Sequence, residues 1–245
     1  YIDGPYTYIF TLKNKLDAGS ITKTSNSNGI ITDSKGYVSQ LQGELFQSRS
    51  YKFNSTNANF NAIPYKSGLT NMDELLNYDI VRSNSSILSP DNLYEYQLEL
   101  VDAVPYDNDT LMHLAFKNLS PTLISTNDAY IKYYEGDIYL LKNKCVVIKC
   151  IIRGSSEKKS IHGKSFYVKG KGDTFGEDIQ YVATIDYHTH GEAYHLNSIN
   201  LNEEFTTTSK FKGKSNTQLI IQDHKLLDSI PEIKTRDYFN KPKGY

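Results

Sequence analysis

Three of the six histidines of this 245-residue chain lie in the segment Asp186-Tyr-His-Thr-His-Gly-Glu-Ala-Tyr-His195. The dipeptide Gly191-Glu192 suits a two-residue hairpin turn, because glycine is favoured at the first central position of a type II′ turn. This turn would place His188 opposite His195. Since side chains alternate along a strand, His188, His190 and His195 would then share one face. Three imidazoles at this spacing are ligands that Zn²⁺ or Ni²⁺ can use.

The same face of the predicted hairpin is otherwise polar, which is typical of a solvated surface. Asp186, expected opposite Asn197, is the only carboxylate on that face that could orient a ligating ring. One carboxylate can hardly orient three rings. We therefore predict that the three rings lie near one another, exposed and without a tightly held metal. A metal-dependent enzyme using His188, His190 and His195 is one alternative function.

Other motifs for catalysis or cofactor binding are missing from the sequence. It has no Gly-x-Ser-x-Gly elbow, and the glycines of segment 170–174 lack the spacing of a phosphate-binding loop. Cys145 and Cys150, the only cysteines, would be about 16 Å apart on a strand and could not form a disulfide. We expect a buried free thiol. The sequence predicts no cofactor and no enzymatic activity.

Composition restricts the classes of partner. The chain has 27 basic and 28 acidic side chains and a formal charge of −1, which argues against nucleic acid as a partner. It has no run of about 18 apolar residues, so no transmembrane helix is expected. The chain begins with Tyr1 and polar residues, and we expect it to be a processed or trimmed form.

Apolar and polar residues alternate along much of the chain, which indicates antiparallel strands with one packed face. The clearest examples are residues 6–12, 94–101 and 179–187. Tyr94, Tyr96, Leu98 and Leu100 are predicted to face inward, as are Ile179, Tyr181, Ala183, Ile185 and Tyr187. Tyr96, Leu98, Tyr181 and Ile185 are candidate residues for binding an apolar ligand, although the same face can equally form a dry core.

Further strand candidates lie at 36–53, 110–117, 130–142, 144–153, 164–169, 194–201, 203–212 and 216–222. One short helix is expected over residues 71–79, capped by Thr70, with an apolar stripe of Met72, Leu75 and Leu76. Segments 14–35 and 54–68 are rich in Asn, Ser, Thr and Gly and are predicted to be loops. We expect one all-β domain over residues 1–245, with a possible soft boundary near 84–92.

The last three fifths of the chain resemble a family of Bacteroidetes envelope proteins, the carboxypeptidase-like regulatory-domain-containing proteins, in the region after that small domain. The matching residues are Tyr94 to Leu100, Gly136-Asp137-Ile138-Tyr139, Val182 to Leu201, Ile230-Pro231 and Arg236-Asp237-Tyr238-Phe239. The resemblance implies an exported protein with a strongly curved antiparallel sheet, a LolA-like half-barrel, and no catalytic residues. Residues 1–90 match the pattern poorly.

The expected fold is therefore mainly β: a strongly curved antiparallel sheet with one or two short helices, or alternatively a β-sandwich. The expected function is that of a non-enzymatic binding protein of the bacterial envelope, periplasmic or associated with the outer membrane. Its partner would be a lipid, a lipoprotein or another envelope protein. A glycan-binding or adhesive β-sandwich is the second alternative, suggested by the 20 tyrosines and the Asn-rich segments.

Overall fold

The computed structural model describes residues 6–18, 21–33, 37–38, 45–46, 49–58, 75–83, 86–128, 130–160, 175–191, 193–207, 210 and 212–228. The predicted strand at 164–169, the proposed cap Thr70 and the side chain of Met72 lie outside them.

The described chain consists mainly of strands. In chain order they are β1 (Tyr6–Ala18), β2 (Ile21–Asp33), β3 (Tyr37–Val38), β4 (Leu45–Phe46), β5 (Arg49–Ala58), β6 (Tyr96–Tyr106), β7 (Asp109–Asn118), β8 (Ile131–Leu141), β9 (Val146–Ser160), β10 (Phe175–His190), β11 (Ala193–Thr207) and β12 (Lys212–Leu226). Helical structure is limited to residues 75–76, a 3₁₀ turn at Leu93–Glu95 and the short helix α1 at Leu123–Thr126. Among the described residues, no helix has the length and hydrophobicity of a membrane-spanning segment.

Ten of these strands form one sheet in the order β5-β2-β1-β12-β11-β10-β9-β8-β7-β6, and every neighbouring pair is antiparallel. The pair β3–β4 forms a separate two-stranded ribbon. Strands β6 to β12 follow one another as a meander, and β1 closes onto β12. The prediction of a mainly-β chain with an antiparallel sheet and little helix is confirmed. The alternative of a β-sandwich is wrong for the described strands, because they build one main sheet.

The prediction of a loop at 14–35 is wrong. Residues 14–18 continue β1, and 21–33 form β2, which pairs with β1 along its whole length. The polar side chains that suggested a loop lie on the solvated face: Thr24, Asn26 and Asn28 are exposed. Tertiary pairing therefore overrides the low strand propensity of Asn and Ser. Residues 54–58 likewise belong to β5.

One face of the sheet, the inner face, carries the core. Buried side chains alternate along the central strands, such as Tyr181, Ala183 and Ile185 of β10, all at most 3 % exposed. Three inner-face glycines lie directly opposite aromatic residues: Gly136 opposite Phe116, Gly154 opposite Tyr181, and Gly213 opposite Phe205. In each case the ring occupies the space of the missing side chain. Glycine kinks covered by aromatic rings are a device that lets a sheet bend.

A segment between β5 and β6 covers the middle of the inner face. Its residues Leu75, Ile80 and Ile87 are at most 2 % exposed and belong to the single core cluster. Leu75 and Leu76 of the predicted apolar stripe are buried. The helix predicted over residues 71–79 is wrong at its C-terminal end, because in the described part of this range only residues 75–76 are helical and the chain turns from residue 77. Ile87 lies inside the region of the predicted soft boundary; the number of domains stays a prediction.

Both cysteines are free. Cys150 on β9 is fully buried, as expected for a structural thiol, and burial raises its pKa above the ordinary value. Cys145 instead lies exposed in the turn between β8 and β9, with a positive φ of 53°. The strand predicted at 144–153 therefore starts at Val146.

Candidate functional site

The predicted histidine hairpin forms between β10 and β11. Gly191 has a φ of 64°, as a two-residue hairpin turn requires, and His188 pairs with His195. A bulge then shifts the register, so that Asp186 pairs with Ser198 instead of the expected Asn197. The Ser198 hydroxyl donates a hydrogen bond to Asp186 Oδ2 over 3.2 Å. Asp186 therefore binds a neighbouring strand rather than a histidine ring.

A histidine that the sequence did not point to completes this region. The β11–β12 ladder ends at the pair Ser198–Ile220, whereas β12 continues along β1 to Leu226. The two strands part beyond that pair, and the rings of His195 and His224 lie across the gap with centroids 3.7 Å apart. Tyr6 of β1 packs edge-on against both rings. His224 was missed because its proximity depends on the third strand, β12, which no local pattern near residue 190 reveals.

The gap forms a small polar cleft of about 100 Å³. Its lining includes His188, His195, His224, Asn197 and Asp223. Among the described residues, no group of three His, Cys, Asp or Glu side chains has the geometry of a metal site. His188 is exposed, and the side chain of His190 lies outside the described residues. The metal function of His188, His190 and His195 stays a hypothesis without a ligand geometry to support it.

The four candidate residues for binding an apolar ligand differ in exposure to solvent. Tyr181, Ile185 and Tyr96 are 3 %, 0 % and 8 % exposed, and they belong to the closed core. Leu98 is 46 % exposed. Leu100 is 54 % exposed, so the prediction that the inward face of residues 94–101 is packed is wrong for both leucines.

Two of the three buried candidates, Tyr181 and Tyr96, contact segments that cover the sheet. The ring of Tyr78 packs edge-on against Tyr181. Further along β10, the Tyr187 hydroxyl donates to Asp79 Oδ1, in the same covering segment as Tyr78, over 2.8 Å. The Tyr96 hydroxyl donates to the carbonyl oxygen of Ser125 in α1 over 2.7 Å. Burial raises the pKa of Tyr96 to about 12, so it is a neutral donor at physiological pH. These residues hold the covering segments in place.

Leu98 and Leu100 face inward as predicted, but nothing in the described chain covers them. Leu98 pairs with the buried Phe116, and Leu100 pairs with Leu114 on the same face. Leu114 and Leu140 are only partly buried, and both pack against the core cluster. We call the surface of Leu98, Leu100, Leu114 and Leu140 the open apolar end. Tyr94, which was also predicted to face inward, is 80 % exposed because the chain turns there as a 3₁₀ helix.

A charged network on the opposite, outer face of β7–β9 was also not predicted. Asp137 lies 2.7 Å from His113 Nε2 and 2.7 Å from the Arg153 guanidinium, and the His113 ring stacks on Tyr139. Burial alone would raise the pKa of Asp137, but the hydrogen bonds from His113 and Arg153 outweigh it and the pKa is lowered. The three strands must pair in register before these side chains meet. The arrangement is that of an ion pair that joins strands.

No protein-family model matches the sequence, and no curated protein matches it. Among solved structures, the chain is similar to a LolA superfamily protein from Nitrosomonas europaea, with 10 % sequence identity and a TM-score of 0.35 over 95 % of this chain and 90 % of that one. It is also similar to MucB in complex with MucA(peri), with 9 % identity and a TM-score of 0.22 over 87 % and 88 % of the two chains.

Proposed function

We propose that this chain is a non-catalytic binding protein of the bacterial envelope that takes up an apolar ligand, of the kind of a lipid acyl chain, at the open apolar end. The observation that carries the proposal is the exposure of Leu98 and Leu100 (46 % and 54 %) on the same face as the buried core. Location in the envelope rests on the family resemblance of residues 94–239.

The open apolar end has the features of a binding surface rather than of scattered exposed residues. Leu98 and Leu100 continue the apolar row that begins with the buried Tyr96, and the neighbouring strand supplies Phe116 and Leu114. Contiguous apolar surface next to a core costs solubility unless a ligand or a partner covers it. A ligand seated here would extend the core sideways across β6, β7 and β8.

More exposed apolar side chains lie at the end of the sheet where β6 begins. Leu119, Leu123 and Ile124 are 66 %, 46 % and 72 % exposed. Their backbone is fixed to the start of β6: the Leu119 amide donates to Glu95, and the Asn92 side chain contacts the Ile124 carbonyl. These residues form an apolar rim near Tyr96, which a long chain-like ligand can reach from the open apolar end.

Titration with a dansyl-labelled fatty acid tests the proposal. We expect saturable binding, which Leu98→Gln weakens about tenfold, since the change removes the transfer free energy of about two methylene groups. Val182→Gln is the matched control, because Val182 is 40 % exposed on the outer face of β10. Absence of saturable binding, or equal loss in both variants, would contradict the proposal.

The absence of catalysis is tested separately. We expect no turnover in a broad screen of esterase, glycosidase and peptidase substrates, since the sequence carries no nucleophile motif. An activity abolished by replacing one named side chain, for example by His188→Ala in the polar cleft, would show that the protein is an enzyme.

A further inference from the structure

We infer that the free edge of β6 docks an extended segment of a partner protein that carries lysine or arginine residues and adds to the sheet as a further strand. This inference goes beyond the proposed function, because it concerns main-chain pairing at an edge and not an apolar ligand on the inner face. The occupant is a positively charged peptide segment.

β6 is an end strand of the sheet and pairs only with β7 within the described chain. The Leu119 amide donates to the Glu95 carbonyl, one step beyond the pair Tyr96–Asn118. Because hydrogen-bonded pairs alternate in an antiparallel ladder, the peptide groups of Gln97 and Glu99 face β7. Those of Leu98 and Leu100 then face away from the sheet, where another strand can bind them.

The strand is also unusually accessible. Every residue from Gln97 to Tyr106 is exposed, and only Tyr96 is buried. End strands of stable monomers normally carry features that block further pairing. In β6 most such features lie in the second half: a bulge lies between Leu100 and Asp102, the Asp102 carboxylate accepts the Ala103 amide over 2.7 Å, and Pro105 has no amide proton. Residues 96–100 have no bulge and no proline, and Glu99 is their single charged side chain.

The negative charge on and around β6 favours a positively charged peptide as the binding partner. Residues 83–116 contain no Lys or Arg, but they contain six acidic residues: Asp91, Glu95, Glu99, Asp102, Asp107 and Asp109. Glu99 and Asp102 are exposed on the strand itself. A basic segment is attracted by these carboxylates, whereas a second copy of β6 would bring like charges together across the new ladder. Alternating apolar residues in the segment would lie beside Leu98 and Leu100.

The experiment uses the full chain and fluorescence anisotropy with a capped, labelled peptide of alternating Val and Lys. We expect saturable binding that is lost when alternate peptide amides are N-methylated on the edge that would pair with β6, because this removes the donors of a ladder. A Val–Glu peptide should bind at least about tenfold more weakly than the Val–Lys peptide. These peptide measurements use the wild-type protein.

Protein variants locate the site. Glu99→Lys should weaken binding of the Val–Lys peptide at least about fivefold. Asp178→Lys, the same charge change on an exposed residue of β10, should leave it unchanged. Leu98→Pro should weaken binding more than Leu98→Ala, since only proline removes an edge amide.

No binding of the Val–Lys peptide, undiminished binding of the N-methylated peptide, or equal effects of Glu99→Lys and Asp178→Lys would overturn the inference. A dimer in sedimentation analysis that Leu98→Pro dissociates would overturn it in favour of a second copy. If the fatty-acid probe binds and the peptide does not, the edge inference fails while the proposed function stands. If the peptide binds and the fatty-acid probe does not, the proposed function fails alone.

Discussion

Single side chains in this protein act mainly by joining strands to one another and to the segments that cover the sheet. Tyr187 ties β10 to Asp79 of the segment that covers the inner face, and Tyr96 ties β6 to α1. On the outer face, the Asp137 carboxylate of β8 forms ion-pair contacts with His113 of β7 and Arg153 of β9. These contacts are hydrogen-bonded and partly or fully buried, so each is worth more than an exposed ion pair.

The Asp137 network predicts a pH dependence of stability. Because the folded pKa of Asp137 lies below the ordinary value of 3.8, its contribution is fully present above that value and is lost as the pH falls through the folded pKa. Asp137→Asn should therefore cost about 1–3 kcal/mol of unfolding free energy at pH 7. The difference from wild type should shrink toward zero in strong acid.

Urea unfolding between neutral and acid pH measures this difference. Asp178→Asn serves as a control, because Asp178 is 75 % exposed and lies 3.9 Å from Lys132. It should change stability by less than about 0.5 kcal/mol at every pH. A constant difference between Asp137→Asn and wild type across the pH range would contradict the assignment.

At the scale of elements, the strands of this sheet depend on close cross-strand fits. The ring of Tyr181 on β10 lies over Gly154 of β9, and a Cβ added at Gly154 would overlap the ring. Because these fits occur in three separate strand pairs, we expect them to influence the bending of the sheet.

Gly154→Ala is therefore expected to destabilise the protein by about 1–3 kcal/mol through overpacking. Gly191→Ala in the hairpin turn meets no atom within 4 Å but keeps a positive φ of 64°, and it should cost about 1 kcal/mol for backbone reasons alone. Combining Gly154→Ala with Tyr181→Leu should recover part of the loss if the ring is the obstacle, as measured by urea unfolding. No recovery would mean that the backbone of β9, and not the ring, needs the glycine.

The strands differ in whether their inner-face side chains are covered, and substitutions should therefore differ in their effect on stability. Ile185→Ala on β10, where the side chain is fully buried, should cost about 2–5 kcal/mol. Leu98→Ala on β6 should cost less than about 0.5 kcal/mol, as for other surface changes. Chemical denaturation of both variants checks the difference. A large cost at Leu98 would mean that this leucine is covered in solution.

At the scale of the whole molecule, nine strands of the ten-stranded sheet, β1, β2 and β6 to β12, contribute side chains to one core cluster of the described residues. Contacts between residues distant in sequence dominate such a fold, because β12 must return to β1 before the core is complete. We therefore expect the core to open as a unit rather than strand by strand.

The two thiols report on that opening. Cys145 is exposed and Cys150 is fully buried, and burial also raises the pKa of Cys150, which suppresses its reactive thiolate. In native buffer, Ellman's reagent should modify Cys145 quickly and Cys150 only at the rate of global unfolding. A Cys145→Ser variant isolates the slow phase, and its rate should rise in step with denaturant. Equally fast reaction of Cys150 in native buffer would show that β9 opens locally.

The sequence by itself determined the fold class and the direction of most side chains. Alternation along residues 94–101 and 179–187 indicated strands and their inward face, and Gly191 indicated the hairpin that pairs His188 with His195. Such patterns are readable because the period of a strand and the preferences of a tight turn are local properties. Leu98 was correctly assigned to the inner face for this reason.

Only the tertiary structure decided what covers each face and which distant residues meet. Tyr181 and Leu98 have the same local pattern, yet one lies beneath the segment of Tyr78 and the other lies open on an end strand. His224 meets His195 only because β12 returns between β11 and β1. The polar run at 14–35 forms strands because β1 and β2 pair along their full length. Burial and long-range contacts depend on the order of strands in the sheet, and this order is not encoded in the period of any single strand.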